Sequence, residues 1–551
     1  MSMFLLLMVS TAAGQTIYVD ADGTADFNTI QAAIDDSNDG DTVIVSDGTY
    51  TGPGNRDIDF LGKAITVRSI DPKDPNIVAA TIIDCNGSSS EPHRGFKFHC
   101  GEQANSVIIG LTIINGYGPE DKIGRYSYSA GGAIYCDGSS PSITDCIMTG
   151  NSAGYHGGAV CNRVNSNPTL ANCTFIDNSA KNRGGAVYNW DNSSPTLRNC
   201  TFTNNYARVG GGGFYSEYRC TPVIVSCSFN NNSAHNTGNG GGAISINWGS
   251  ATIANCTFVG NFALSRGGAI CNYQSNPTIY NCIFIWNSAG SFSAAIHNNS
   301  NSRPIIANCT FTANSAPTGR ALGSSRYGSE PLCDIQLTNS ILWDGGNEIV
   351  NLDGSKITVT YSDVEGGWPG EGNIDADPFF VETGYWDAND VWIDGDYHLL
   401  LDSPCINAGD PNYVAEPNET DLDGKPRVIG GRIDMGAYEY SPPIPAEVRI
   451  VPRSINLASM GKWITCYIQL PEDYNVADIE ADSVLLEYEI QAQSLSLNEG
   501  QQVATAKFNR SDVQEILDAG EVELTITGRL TNGFAFEGTD VIRVIDKGRG
   551  K

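Results

Sequence analysis

The chain has 551 residues, a formal net charge of −30 and 61 glycines. A chain of this length can bury a large core and form more than one domain. Because phosphate backbones and anionic membrane surfaces repel a strongly acidic protein, neither nucleic acid nor such a membrane is expected as a partner.

The first segment, residues 1–15, contains an apolar run from Phe4 to Val9, followed by small residues that end in Ala12-Ala13-Gly14. This arrangement resembles the end of a secretory signal peptide. No later apolar run in the sequence is long enough to span a bilayer. The sequence therefore predicts an exported protein without a transmembrane segment.

Residues 16–50 predict a strand, a short amphipathic helix and a second strand. Phe27, Ile30, Ala33 and Ile34 fall on one helical face, and Asp26 precedes them as the expected N-cap. A stack of strands has an open end with apolar side chains and unpaired backbone groups, so the helix is predicted to cover that end. Less regular strands follow over residues 55–130, where residues 117–129 are predicted to project as a loop.

The stretch from Gly131 to Pro317 repeats with a period of 26 to 29 residues. Each repeat carries a cysteine, an asparagine five positions later, and a Gly-Gly pair that is replaced by Ala294-Ala295 in the last repeat. Six of the seven repeats also carry a phenylalanine two positions after the cysteine. The cysteines are Cys146, Cys173, Cys200, Cys227, Cys256, Cys282 and Cys309.

A fixed period of this size is typical of stacked repeats. Helical repeats are excluded because no apolar pattern at i, i+3 and i+4 persists over about 10 residues. Leucine-rich repeats are excluded because the leucine pattern is missing. Short strands joined by turns remain, with one turn of a coil for each repeat and equivalent residues about 4.8 Å apart.

The spacing assigns a role to each repeated residue. Cys173 and Phe175 share parity and are predicted to point inward. Leu170 can also point inward if the chain bends at Asn172, since asparagine tolerates the left-handed region. The seven repeat cysteines are predicted to be buried free thiols, whereas one or two disulfides remain open among Cys85, Cys100, Cys136, Cys161, Cys220, Cys271, Cys333, Cys405 and Cys466. No CxxC pair occurs, so no zinc cluster is predicted.

The Asn-Cys-Thr-Phe, Asn-Ser-Ala and Gly-Gly-Ala pieces resemble the repeats of right-handed parallel β-helix proteins of secreted bacterial type. They are also similar to the repeats of polymorphic outer-membrane proteins, and the wider relatives are the pectate-lyase-like β-helices. The resemblance covers residues 16–440 and implies an all-β fold, a right-handed parallel β-helix with N- and C-terminal caps. It implies no single activity, because this fold carries lyases, hydrolases, esterases, adhesins and spacers.

The C-terminal part has a different composition. Residues 441–447 are rich in proline and predict a stiff linker. Residues 448–551 contain alternating strands near Trp463–Ile468, Val503–Phe508, Val522–Ile526 and Val541–Ile545, and a short helix within 511–518. This pattern predicts an immunoglobulin-like β-sandwich as an accessory domain.

Candidate site residues are few. The column before the Gly-Gly pairs places His156 beside Arg183, with Asp177 and Asp191 nearby along the chain, and such positions are expected to face solvent at a corner. Asp421 and Asp423 alternate as in a calcium loop, but the later ligands of such a loop are missing, so calcium is a possible cofactor and no other is predicted. The catalytic residues, if any exist, stay unknown, because the six histidines are scattered.

The neutral Asn, Ser and Thr side chains of the repeats offer many hydrogen bonds without a charge cluster. They favour a non-catalytic extracellular or cell-surface protein that binds carbohydrate or another component of the bacterial cell envelope. The alternative is a polysaccharide lyase or glycoside hydrolase that acts in a groove along the coils. A third possibility is a spacer that displays the C-terminal sandwich.

Overall fold

A computed structural model describes residues 14–123, 126–236, 238, 240–386, 392–393, 395–531 and 533–546. The predicted signal segment falls almost entirely outside the described residues. The chain divides into two compact units, one formed by Met1–Tyr397, Ser403–Tyr413 and Asp434–Ala437, the other by His398–Asp402, Val414–Ile433 and Tyr438–Lys551. The segment predicted to close the coil up to residue 440 is thus shared between the two units.

The first unit is a parallel β-solenoid of four sheets, and each turn passes through the sheets in the same order. The described strands of the first sheet are Thr16–Val19, Thr42–Val45, Thr66–Ser69, Val107–Ile109, Ser142–Thr144, Thr169–Ala171, Thr196–Arg198, Val223–Val225, Thr252–Ala254, Thr278–Tyr280, Ile305–Ala307, Asp334–Thr338 and Lys356–Thr360. Those of the second sheet are Gly48–Thr51, Thr81–Asp84, Thr112–Ile114, Ile147–Thr149, Thr174–Ile176, Thr201–Thr203, Ser228–Asn230, Thr257–Val259, Ile283–Ile285, Thr310–Thr312, Ile341–Trp343 and Asp363–Val364.

The fourth sheet completes the turn, and in the turns between Tyr117 and Ala289 a third sheet of short strands lies between the second and fourth sheets. The described strands of the third sheet are Tyr117–Gly118, Ser152–Ala153, Ser179–Ala180, Tyr206–Ala207, Ser233–Ala234, Phe262–Ala263 and Ser288–Ala289. Those of the fourth sheet are Ile58–Asp59, Phe96–Phe98, Ile134–Asp137, Val160–Arg163, Val187–Trp190, Phe214–Glu217, Ile244–Asn247, Ile270–Tyr273, Ile296–Asn299, Leu322–Ser325 and Ile349–Asn351. The predicted parallel β-helix is confirmed.

The core of the solenoid consists of stacked equivalent side chains. Leu170, Cys173 and Phe175 are all fully buried, as the repeat predicts. The phenylalanine rings of successive turns, from Phe175 to Phe311, lie 4.6–5.1 Å apart and nearly parallel. Burying each ring contributes roughly 1.5–3 kcal/mol, and each stacked pair adds roughly 0.5–1.5 kcal/mol.

The chain bends at the asparagine before the cysteine, as predicted. Asn172, Asn199, Asn255, Asn281 and Asn308 all have φ values of 52–55°. This left-handed conformation turns the chain between the first and second sheets, so that side chains of opposite parity both enter the core.

A second asparagine series, five residues after each cysteine, forms what we call the asparagine ladder: Asn151, Asn178, Asn205, Asn232, Asn261, Asn287 and Asn314. These side chains are buried, and the Nδ2 of each of the first six donates to the Oδ1 of the asparagine on the next turn at 2.9–3.1 Å. Each of these Oδ1 atoms also accepts the backbone N–H of the preceding asparagine. The ladder therefore satisfies the polar groups at the corner between the second and third sheets.

The Gly-Gly pairs form the corner before the fourth sheet. The first glycine has a positive φ in most repeats, for example 60° at Gly157 and 65° at Gly184. The second glycine is required by close approach between turns, since a Cβ on Gly158 would lie 2.2 Å from the carbonyl oxygen of Gly185.

All sixteen cysteines lie in the described residues, and none of them forms a disulfide. Fifteen are buried and Cys100 alone is exposed. The buried thiols act as small apolar groups in the core, as predicted for the repeat series, and no bridge forms among the other cysteines.

The N-terminal helix covers the first turn, but it begins later than predicted. It spans Ile30–Asp36 and buries Ile30, Ala33 and Ile34, with Thr29 as the N-cap. The prediction of Asp26 as the N-cap is wrong, because its carboxylate accepts the backbone N–H of Tyr18 instead. The other described α-helices are Pro75–Ala80 and Arg510–Glu515, and 3-10 turns occur at Val476–Asp478 and Ala481–Ser483.

The segment predicted as a projecting loop contains an antiparallel hairpin, Glu120–Ile123 with Tyr126–Ser129. Further short strands after the solenoid are Phe380–Glu382, Tyr385–Trp386, Trp392–Ile393 and Asp396–Leu399.

The second unit contains two largely antiparallel sheets. The described strands of one sheet are Ile444–Pro445, Ser454–Asn456, Leu485–Leu486, Ile490–Gln491, Gly520–Arg529 and Ala535–Ile545; those of the other are Glu447–Val451, Trp463–Gln469, Ser494–Asn498 and Val503–Asn509. Both sheets contribute to one core, in which Ile464, Phe508 and Ile526 are buried. This arrangement is consistent with a β-sandwich, whereas an immunoglobulin-like topology stays a prediction.

The predicted linker is partly built into these sheets, because Ile444–Pro445 pairs with Phe536 and Glu537. None of the helices in the described parts of the chain has the length and apolar character that a membrane crossing needs.

Candidate functional site

The outer face of the fourth sheet carries a row of buried tyrosines. Tyr135, Cys161, Tyr188 and Tyr215 are register neighbours on successive strands. Their parity is opposite to that of the core residues Val160 and Val187, so they point away from the core of the solenoid. They are nevertheless buried, because side chains from the preceding turns lie across them.

The covering side chains come from the equivalent positions that directly precede the Gly-Gly pair in each repeat. Ala130, His156, Arg183 and Gly210 are bridged to one another on successive turns, so the sequence correctly makes His156 and Arg183 neighbours. The expectation that such positions face solvent is wrong for His156, which is only 6% exposed. Its ring lies parallel to that of Tyr188 on the next turn, with centroids 4.0 Å apart.

This burial determines the charge of His156. Loss of solvent, with the nearby Arg183 guanidinium as a second cause, lowers the pKa of His156 well below its ordinary value. The ring is therefore neutral at neutral pH, and its role here is to stack on Tyr188.

Arg183, Glu217 and Tyr188 form one polar cluster, in which Glu217 and Tyr188 are buried and Arg183 is partly exposed. Nη1 of Arg183 donates to both carboxylate oxygens of Glu217, at 2.9 and 2.8 Å, and the Tyr188 hydroxyl donates to Oε1 at 2.5 Å. Glu217 is 2% exposed. Burial raises the pKa of Glu217, and the Arg183 charge and the two donors oppose this rise.

The sequence did not identify Glu217 as the partner of Arg183. Asp177 and Asp191, which are nearer along the chain, do not pair with Arg183, since its side chain reaches over the following turn instead. Glu217 is the one glutamate between Gly131 and Pro317. A glutamate that occurs in a single repeat is the sequence signal that could have identified it as a partner of Arg183.

Two further arginines lie over the same face. The Arg94 guanidinium lies 4.4 Å from the centre of the Tyr135 ring and pairs with Asp121 of the hairpin. Arg163 donates to the Tyr135 hydroxyl at 2.9 Å and lies 3.5 Å from Asp137. Arg94, Arg163 and Arg183 are thus each paired with a carboxylate.

A row of aromatic rings follows the edge where the fourth sheet ends, and we call it the aromatic row: Trp190, Tyr218, Trp248, Tyr273 and Tyr327. Consecutive rings in the row have centroids 5.0–6.2 Å apart. The rings of Tyr218 and Trp248 are stacked. The Trp190 ring is perpendicular to that of Tyr218, and the Tyr273 ring is perpendicular to that of Trp248.

The aromatic row is accessible. Tyr218 is 48% exposed, Trp248 37% and Tyr327 47%. Tyr218 and Trp248 have φ values of 59° and 51°, a conformation that non-glycine residues rarely adopt and that directs both rings outward at the corner. Because these exposed rings lie in one line along several turns, the aromatic row is a candidate surface for contact with a ligand.

A cleft of about 630 Å³ lies beside the hairpin. Its lining includes Tyr117, Glu120, Tyr128, Tyr155 and Lys181. The rings of Tyr128 and Tyr155 stack at 4.5 Å, so this cleft also combines aromatic walls with a few polar groups.

Glu217, the acid of the outer face, can be compared with what glycoside hydrolysis requires. Glycoside hydrolysis uses two carboxyl groups that flank the bond, and among the described residues no second carboxylate contacts Glu217. Both Glu217 oxygens already accept hydrogen bonds.

The predicted calcium residues lie in the second unit. Oδ1 of Asp421 accepts the backbone N–H groups of Asp423 and Lys425, and Oδ2 accepts that of Glu439. Asp423 contacts His398 and Lys425. Calcium takes six to eight oxygen ligands, whereas both oxygens of Asp421 and Oδ2 of Asp423 already contact donors. Calcium at Asp421 and Asp423 stays a prediction that this donor set does not favour.

Residues 17–263 match the family model described as the right-handed beta helix region, and residues 255–273 match the Chlamydia polymorphic membrane protein repeat. Two solved structures are similar in part. A pectin methylesterase from carrot has a TM-score of 0.27 and 12% identity over 64% of this chain and 89% of its own. A polygalacturonase from Erwinia carotovora ssp. carotovora has a TM-score of 0.28 and 10% identity over 64% of this chain and 97% of its own.

No curated protein sequence matches the chain. The family match and the observed strand pairing confirm the right-handed β-helix that the repeats predict.

Proposed function

We propose that this is an exported, non-catalytic protein that binds an extended polysaccharide along the aromatic row of its β-helix. The observation that carries this proposal is the alignment of five aromatic rings on successive or nearly successive turns, three of them substantially exposed. A polysaccharide is itself a linear repeat, so its successive units can contact successive turns of the solenoid.

The chemistry of the row suits sugars. One face of a pyranose ring is apolar and packs on aromatic rings, while its hydroxyls need donors and acceptors at the side. Such polar groups flank the row: the Tyr273 hydroxyl donates to Glu330 at 2.8 Å, and Gln274 Nε2 donates to the same hydroxyl at 3.1 Å. Hydrogen bonds of this kind orient a ligand without requiring it to be charged.

A binding function also agrees with the neutralised arginines. Arg183 is engaged by Glu217, and Arg94 by Asp121, so they are held in place and cannot act as a base. Removing a proton beside a uronate needs a free basic group in the groove. The same pairing makes a neutral polysaccharide the favoured ligand over a polyanionic one.

Export is supported by the segment 1–15 and by the resemblance of the repeats to those of surface proteins. The fifteen buried thiols fit this location too, because burial protects them from oxidation outside the cell. Fractionation of the producing cells, with sequencing of the mature N-terminus, tests export directly; retention of the full chain in the cytosol would contradict it.

Binding is tested by the retention of the full chain on a panel of neutral and uronic-acid polysaccharides. Replacing Trp248 or Tyr218 with alanine should weaken binding about 2- to 12-fold for each ring, the equivalent of roughly 0.5–1.5 kcal/mol. Tyr206, which is 36% exposed on the third sheet, supplies the matched control, and Tyr206→Ala should bind normally.

Three results would contradict the proposal. One is the absence of retention on every polysaccharide, another is an equal loss of binding in the Tyr206 control, and the third is the release of new reducing or unsaturated sugar ends. The last result would favour a hydrolase or lyase.

A further inference from the structure

Three different metal-ligating side chains meet at the N-terminal end of the fourth sheet. Asp59 ends the first strand of that sheet, and His99 and Cys100 follow the second strand, Phe96–Phe98. One ligand atom from each of the three residues lies within 4.8 Å of those from the other two. This site is separate from the aromatic row and independent of the proposed polysaccharide binding.

The individual distances are close to those of a metal site. His99 Nε2 lies 2.8 Å from Asp59 Oδ2, and Cys100 Sγ lies 3.9 Å from the other ring nitrogen, Nδ1. One ion takes only one of these nitrogens, and one ligand atom from each residue lies within 4.8 Å of the other two. Tetrahedral zinc at bond lengths of about 2.0–2.3 Å places its ligand atoms about 3.3–3.8 Å apart. The three side chains lie at the surface, so coordination of one ion requires them to move together from a spacing of at most 4.8 Å.

The backbone around the three ligands is held by buried groups. Glu102, which is 1% exposed, accepts the backbone N–H of Cys100 and of Gly62 and the hydroxyl of Ser139. On the opposite side Gln31, from the N-terminal helix, accepts the Asp59 N–H and donates to the Asp59 carbonyl. Supporting contacts of this kind fix ligands before a metal arrives and are typical of metal sites.

The Asp59 carboxylate is also held in place by a hydrogen bond. Its Oδ1 accepts the Leu61 N–H at 2.8 Å, so the carboxylate cannot rotate freely and Oδ2 stays directed at His99. Cys100 is the one exposed cysteine of the chain, which makes its sulfur accessible to an ion from solution.

The same three residues could be read as a thiol nucleophile with its base, but the surroundings do not support acyl transfer. Such chemistry needs free backbone N–H groups beside the thiol to bind an oxyanion. The N–H of Cys100 donates to Glu102, and that of Gly101 donates to Ser139. Both neighbouring donors are occupied.

We propose that Asp59, His99 and Cys100 bind a divalent transition-metal ion of the zinc type. A thiolate and an imidazole select such metals over calcium or magnesium, and a single carboxylate completes a three-residue set that leaves a position for water or another ligand. Binding releases the thiol proton of Cys100, whereas the neutral His99 ring keeps its one N–H on the nitrogen that does not bind the ion.

Titration of the full chain with cobalt(II) chloride, a spectroscopic substitute for zinc, tests this site. One equivalent should produce the visible bands of a low-coordinate cobalt site together with a near-ultraviolet sulfur-to-cobalt band. Cys100→Ser should abolish the sulfur band, and Asp59→Asn should weaken binding at least 10-fold. Zinc chloride should displace the cobalt and slow the reaction of Cys100 with a thiol reagent.

A second histidine–aspartate pair, just before the same two strands, provides the matched control. His93 Nδ1 lies 2.6 Å from Asp57 Oδ2 without a cysteine beside it, so His93→Ala should leave cobalt binding unchanged. Circular dichroism confirms that each variant is folded. Absence of the sulfur band in the unaltered protein, its persistence in Cys100→Ser, or its loss in His93→Ala would overturn the proposal, whereas failure of polysaccharide binding would not affect it.

Discussion

Asp344 accepts two hydrogen bonds from Asn314, one from its backbone N–H at 2.7 Å and one from Nδ2 at 2.9 Å. It takes the place that an asparagine Oδ1 occupies on each earlier turn, so the asparagine ladder ends on a carboxyl group. Burial, followed by the nearby Glu348 carboxyl, raises the pKa of Asp344 well above its ordinary value. The last position of the ladder is thus a point where stability depends on pH.

The substitution Asp344→Asn should stabilise the protein at neutral pH. An unfolded aspartate ionises near pH 3.9, and the folded Asp344 ionises only at higher pH. Between these two values the folded state binds more protons, so the free energy of unfolding falls as pH rises. Because asparagine keeps the Oδ1 acceptor and cannot ionise, the melting temperature should rise by a few degrees at pH 7 and change little near pH 4.

The pH series for Asp344→Asn has a simple control. Glu371→Gln removes an exposed carboxylate and should shift the melting temperature little at either pH. A destabilised Asp344→Asn protein at pH 7, or an effect that is equal at both pH values, would show that the buried charge is not the cause.

Asn232→Ala should strongly destabilise the solenoid. The change removes the bonds from Nδ2 to the Phe202 carbonyl and to Asn261, and it also removes the acceptor of two Asn205 donors. A buried polar group without a partner costs about 1–3 kcal/mol, so we expect a loss of at least about 3 kcal/mol in chemical denaturation.

Asn199→Ala is the matched control for the ladder. Asn199 is exposed, and its left-handed conformation, φ 52°, costs alanine about 1–2 kcal/mol. If Asn199→Ala destabilised the protein as much as Asn232→Ala, the buried amide hydrogen bonds would not be the main reason for the loss of stability in Asn232→Ala.

Thiol titration should separate one cysteine from the other fifteen. A thiol reagent should react with Cys100 alone in the native protein, because the other cysteines are buried, and with all sixteen in denaturant. Cys100→Ser should remove the native reaction completely. Fast modification of Cys173 or Cys227 in the native state, detected by peptide mass spectrometry, would contradict the placement of the repeat cysteines in the core.

Arg183→Ala should cost roughly 3 kcal/mol, the low end for a broken buried ion pair, because Arg183 is partly exposed. The loss arises from the Glu217 charge that remains buried. Glu217→Gln keeps a hydrogen-bonding side chain without the charge, so the double variant Arg183→Ala/Glu217→Gln should be more stable than Arg183→Ala. Equal stability of the single and double variants in urea unfolding would indicate that Glu217 does not carry a charge against Arg183.

The repeat made the fold predictable from the sequence because each residue type recurs with the same physical task. Parity placed Cys173 and Phe175 in the core, and the tolerance of asparagine for positive φ placed the bend at Asn172. The N-cap was misplaced at Asp26 because Phe27 pairs with the first strand instead of joining the helix, and helical periodicity cannot distinguish those two ways of burying an apolar residue.

The candidate sites were less predictable, since they depend on which side chain crosses to the neighbouring turn. Arg183 pairs with Glu217 from the next turn, a relationship that neither distance along the chain nor the repeat pattern reveals. The cluster of Asp59, His99 and Cys100 lies in the irregular first turns, where the period fails and the separation of Asp59 from His99 along the chain gives no indication of contact.

The hydrogen bonds between asparagine side chains have one direction: each Nδ2 donates one bond to the Oδ1 on the next turn, besides its bond to a backbone carbonyl of the preceding turn, and every turn presents the same acceptor to the turn before it. Asn178 and Asn205 are therefore interchangeable as partners of Asn151. Excision of one period, from Thr174 to Cys200, would join Cys173 to Thr201 and leave each donor facing an equivalent acceptor. The solenoid can accordingly be lengthened or shortened by whole turns while its two ends stay the same. The length of its outer surface is therefore set by the number of repeats.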